Sequence, residues 1–224
     1  MKVPLVILLI AITPRAFTQT PLWYGGDFDG RGFLESGKNT AIEDARVYDN
    51  FLVTGTGFDV DWLFGNFLVD GPLPTQLYYE FRQNVGPGNG GELLYSGTVA
   101  STTVLTGRGG FGLLEWEVRG DITHIDLKPG HHWLAVAPVG DGTGHFYLST
   151  TSGANSIGSP IGDGNSFYDS ESLGATFDPT SKWLGKGTWD FSLGFGNDNI
   201  PEPATLLATL AGLGLLAYRK RRRD

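Results

Sequence analysis

The feature that most constrains this chain is a period of two in its apolar residues. Leu114, Trp116 and Val118 alternate with Glu115, Glu117 and Arg119, and Trp189, Phe191, Leu193 and Phe195 alternate with Thr188, Asp190, Ser192 and Gly194. Successive side chains of a strand point to opposite faces, so each segment is expected to lay one face on a core and turn the other to water. Leu77 to Arg82 has a similar rhythm, while His132 to Ala137 is apolar on both faces and reads as an interior strand. Further strands are expected near Val47–Val53, Phe58–Val69, Leu93–Val104, Ile122–Leu127 and His145–Thr150. Turn signals such as Asp70-Gly71-Pro72, Asn89-Gly90-Gly91 and Lys128-Pro129-Gly130 separate them. No stretch between residues 19 and 199 presents a helical face. The expected fold is all-β, an antiparallel, jelly-roll-like β-sandwich. The polar, glycine-rich stretch from Asn155 to Thr180 reads as a long loop.

The two ends are of another kind. Lys2 followed by the apolar run Val3 to Ile12 reads as a signal peptide over residues 1–18, with the mature start near Gln19. At the other end Pro201-Glu202-Pro203 precedes an uncharged apolar run, and Arg219, Lys220, Arg221, Arg222 and Arg223 follow it. Residues 204–218 are expected to form a transmembrane helix, and the basic cluster is expected to stay cytoplasmic, which puts the passenger, residues 19–199, on the far side of the membrane. In this order of elements the tail, residues 200–224, resembles the PEP-CTERM sorting tail of exported bacterial proteins. The resemblance implies an exosortase, a membrane-embedded cysteine transpeptidase, as partner, with Pro201, Glu202 and Pro203 as the sorting motif and removal of the helix nearby.

A second, looser resemblance covers residues 23–196. Tyr24-Gly25-Gly26-Asp27-Phe28-Asp29-Gly30, Val47-Tyr48-Asp49-Asn50-Phe51, Leu127-Lys128-Pro129-Gly130 before Trp133-Leu134, and Thr150-Thr151-Ser152-Gly153-Ala154-Asn155 look like the passenger of uncharacterised PEP-CTERM proteins expected to be β-sandwiches. That family carries over no catalytic residue, and His131-His132 departs from its pattern.

Composition narrows the function. With no cysteine, the chain has neither disulfides nor thiolate catalysis. Setting aside Lys2, Arg15 and the tail residues, 9 of the 16 basic and 22 of the 24 acidic side chains remain, so the passenger stands near −13. Nucleic acid and anionic membrane surfaces are disfavoured as partners.

Motifs of hydrolases, phosphate-binding loops and dinucleotide sites are missing from the sequence. Glu115 and Glu117, about 7 Å apart along a strand, have the spacing of an inverting glycosidase pair, but both are expected to face water. His124, His131, His132 and His145 are histidines in number enough for zinc, yet His131 and His132, being adjacent, point to opposite faces. Hard oxygen ligands for weak calcium binding are offered by Asp27 and Asp29, by Asp59 and Asp61, and by Asp163, Asn165, Asp169 and Glu171. No cofactor is expected. Trp116, Trp133 and Trp189 read as core, which leaves Trp23, Trp62 and Trp183 as candidate glycan-facing aromatics. The expectation is a non-enzymatic exported protein of the cell envelope or extracellular matrix, associated with exopolysaccharide or biofilm. A carbohydrate-binding module is the alternative, and a glycoside hydrolase the second alternative.

Overall fold

The computed structural model describes residues 19–39 and 43–198. Of the two units into which the chain divides, the second, Pro21–Ile200, is the one described. The expected signal peptide, sorting motif, tail helix and basic cluster all lie outside the described residues. Within the second unit the order is β1 (Trp23–Tyr24), β2 (Phe28–Glu35), β3 (Gly37–Asn39), β4 (Glu43–Val53), β5 (Phe58–Asp70), β6 (Gln76–Gln83) and β7 (Glu92–Gly110). Then follow β8 (Leu113–Leu127), β9 (Gly130–Pro138), β10 (His145–Thr151), β11 (Phe167–Ser170), β12 (Ala175–Pro179), the one-turn α1 (Ser181–Leu184), β13 (Asp190–Phe191) and β14 (Leu193–Gly196). The described fold is therefore all-β, and the pairings between its strands are antiparallel.

The strands form one curled sheet in the path β1-β14-β5-β8-β7-β6-β9-β4-β11-β12. β10 pairs with the end of β5 and carries β2 and β13. The long β7 turns the sheet: its residues 92–100 pair with β6, and its residues 101–110 continue on β8. The two limbs close on an aromatic core, where Phe51 of β4 and Phe81 of β6 meet Phe195 of β14 at ring separations of 4.7 and 5.9 Å. Such edge-on contacts between fully buried rings add to the burial term itself.

Three expectations change. Ile122–Leu127 and Leu114–Arg119 belong to one strand, β8, which pairs with β5 on both sides of a bulge of its own, where Ile122, Thr123 and His124 stand opposite Asp61. The stretch from Asn155 to Thr180 contains β11 and β12, and β11 extends the sheet by pairing Phe167 with Tyr48. The alternation at the start of β8 is inverted. Leu114 is 57% exposed whereas Glu115 is 0% exposed, because Leu114 lies near the end of the ribbon, while Thr106 and Arg108 fold over the glutamate from β7.

Candidate functional site

The outer face of the β5–β8 pair brings together residues that sequence order keeps apart. Asp59 stands directly opposite Asp126, and His124 precedes Asp126 by two positions, so all three side chains leave the same face. The Nε2 atom of His124 is 3.9 Å from Asp59 Oδ1 and 3.8 Å from Asp126 Oδ1. The Nδ1–H of His124 donates to Asp61 Oδ1 at 2.8 Å, and Asp61 Oδ2 accepts the backbone N–H of Asp198 at 3.1 Å. The Asp61 hydrogen bond, aided by the charges of Asp61, Asp59 and Asp126, holds the imidazole above its ordinary pKa. Asp61 is lowered in return, first by His124 and then by the Asp198 amide. One ligand atom from each of Asp59, His124 and Asp126 falls within 4.8 Å of the others, the arrangement of a small divalent-cation site.

Asp126 also borders a cleft of about 250 Å³ lined by Gln83, Leu94, Tyr95, Leu127, Lys128 and His132. Tyr95 comes from β7, its hydroxyl donating to the Asp126 carbonyl at 3.3 Å and its ring remaining 38% exposed. His132 forms the floor. Its Nε2–H donates to the Lys128 carbonyl at 2.8 Å, its ring stacks on Phe51, and burial lowers its pKa despite that hydrogen bond.

The aromatic candidates need correction. Trp23 is 1% and Trp62 2% exposed, so neither offers a ring face to a glycan. Trp23 lies between Phe51 and Phe195 in the core. Trp62 is received by β14, where Gly194 and Gly196 present no side chain; a Cβ on Gly194 would stand 2.8 Å from the Phe64 ring, and one on Gly196 would strike Trp62 itself. Arg119 closes Trp62 from above, its guanidinium 4.1 Å from the ring centre. Trp183 is half-buried on α1, edge-on to Tyr168 at 5.4 Å. Of the expected core tryptophans, Trp133 and Trp189 are buried and Trp116 is half-buried.

The carboxylate pair is corrected too. Glu115 accepts from Arg108 Nε at 2.6 Å and Thr106 Oγ1 at 2.9 Å, and Arg108 reaches on to Asp27 at 2.8 Å. Glu117 stays above the ordinary glutamate pKa because burial outweighs the nearby Arg119 and Arg108. The calcium sets separate. Asp27 accepts from Tyr24, Asn155 and Arg108, whereas Asp29 accepts from Thr150 and the Arg31 amide. Asp163 and Asn165 join Asn50, Trp133 and Asp190, while Asp169 faces Arg46 and Glu171 is exposed in a turn. The four histidines occupy four different environments, with His131 exposed and His145 bonded to Glu35 at 2.9 Å.

Sequence reasoning missed Asp126, Tyr95, Gln83 and Lys128. The one available signal was the repeated two-residue spacing of Asp59-x-Asp61 and His124-x-Asp126; the register that joins them is not written in either segment. Among the described residues no helix is long and apolar enough to cross a membrane. No curated protein and no solved structure matches the chain. Residues 199–223 match the PEP-CTERM protein-sorting motif, which indicates an exported precursor sorted by an exosortase.

Proposed function

We propose that the passenger is a non-enzymatic domain of the cell envelope or extracellular matrix, folded as a jelly-roll-like sandwich and associated with exopolysaccharide. The observation that carries this reading is the sorting motif at residues 199–223 following a compact all-β unit. Residues 1–18 are removed as a signal peptide, and residues 204–218 hold the precursor in the membrane until processing. Non-enzymatic status is supported by the fate of the acids: Glu115 is spent on Arg108 and Thr106, with no open space in front of it for a substrate. Replacing Pro201, Glu202 and Pro203 together by alanine is expected to leave the protein membrane-retained with its full tail, because the prolines keep this segment out of a helix and open to a processing enzyme. Mass spectrometry of the product in an exosortase-containing host checks this, and unchanged processing would refute the assignment.

A carbohydrate-binding module is the second reading, favoured by the cleft beside Tyr95. An accessible aromatic face next to Gln83, Asp126 and Lys128 suits a sugar ring with its hydroxyl groups. In glycan-array binding, Tyr95→Ala is expected to lower a specific signal by about 5- to 30-fold, the loss of a stacking contact of about 1–2 kcal/mol. An unchanged signal removes the cleft from consideration.

A further inference from the structure

We propose that Asp59, His124 and Asp126 bind a divalent transition-metal ion of the zinc class, with Asp61 as the residue that positions the histidine. Four observations converge on it. The three ligand atoms come from two neighbouring strands: the ladder places Asp59 opposite Asp126, and His124 projects beside them from the adjoining bulge in β8. The atoms already lie within 4.8 Å of one another, and contraction of the 3.8 and 3.9 Å separations by rotation of exposed side chains brings them to the edge lengths of a tetrahedron with metal bonds of about 2 Å. Nδ1 of His124 is engaged as donor to Asp61, so Nε2 is the ring nitrogen that faces the two carboxylates. Finally, Asp61 is itself held by the Asp198 amide, which gives the carboxylate–histidine relay that metal-bound imidazoles require.

The donor set selects the metal. One imidazole nitrogen and two carboxylates leave a fourth, water-filled position in a tetrahedral zinc site, whereas calcium calls for six to eight oxygens and has no use for the ring nitrogen. On this proposal zinc takes the place of the calcium expected at Asp59 and Asp61, with His124 in reach of both carboxylates. Three carboxylates around one imidazole also leave net negative charge that a dication offsets.

Zinc ions alone, titrated calorimetrically into the full-length chain in detergent, are expected to show one site. His124→Ala should weaken it at least 100-fold, and Asp61→Asn, which touches no metal, by about 10- to 100-fold. His131→Ala, an exposed histidine on β9, should leave it unchanged and so reports on adventitious binding. All four side chains lie at or near the surface, and circular dichroism of each variant confirms the fold. Equal zinc affinity in wild type and His124→Ala, or no saturable zinc binding by wild type, overturns the proposal. Calcium binding unaffected by His124→Ala together with the absence of zinc binding overturns it equally.

Discussion

Two buried acids show how differently this interior treats charge. Glu80 accepts the hydroxyls of Tyr48 and Tyr78 at 2.9 and 2.6 Å and the Arg82 Nε at 2.5 Å, with Arg46 beside it. Burial pushes its pKa up, but these partners together pull it below the ordinary glutamate value. Its stabilising contribution is therefore present above the unfolded glutamate pKa and is lost as pH falls through the folded one. Asp49 is opposite in sign. Burial, then the charge of Asp190, holds it well above the ordinary aspartate value, against hydrogen bonds from the Phe191 and Asn50 amides. Its contribution is greatest below the unfolded aspartate pKa and declines as pH rises through the folded one. Urea unfolding across the acid range should then show Glu80→Ala losing about 3–5 kcal/mol at neutral pH, because the half-buried Arg82 is left without its carboxylate. Asp49→Asn should remove the decline that wild type shows on the alkaline side. A variant curve parallel to wild type refutes the Asp49 argument.

At the scale of elements, β14 is the strand on which the others depend. Its inner residues Leu193 and Phe195 enter the core, while Gly194 and Gly196 leave the room that Trp62 and Phe64 fill. Trp62→Ala is expected to cost about 3–5 kcal/mol, the range for a buried aromatic, without altering any glycan signal. Denaturant midpoints measured beside array binding separate the two roles. The same strand shows what the sequence makes legible. Alternation announced β4 to β10 and the Phe191–Phe195 face, since burial on one side writes itself as a period of two. It did not announce β1, β2, β3, β11 or β12; all but β2 are short, and their residues are chosen by their partners, Trp23 by Phe51 and Phe167 by Tyr48. The sorting tail was legible because it is a local code. The Asp59, His124 and Asp126 group was not, because antiparallel register assembles it across about sixty residues of sequence.

For the whole molecule, the tail and the passenger make separable demands. Replacing Arg219, Lys220, Arg221, Arg222 and Arg223 by neutral residues is expected to weaken the cytoplasmic retention of the C-terminus while leaving the β-type spectrum of the passenger unchanged. A reporter fused after Asp224 in an uncleaved background reads the first, and far-ultraviolet circular dichroism the second. Periplasmic reporter activity from the unaltered tail would contradict the topology. One pairing ties these demands together in time. β1 pairs with β14, through Trp23 with Phe195 and Tyr24 with Gly194, and Tyr24 also bridges Ile157. Contacts so distant in sequence form late, after the intervening loop has closed. In the export proposed above, Trp23 emerges early and can reach Phe51 soon after, but its ladder partner Phe195 crosses only when nearly the whole passenger has done so. On that proposal the last pairing of the fold coincides with the arrival of the sorting tail at the membrane, and a passenger stalled in transit would hold β1 apart from β14.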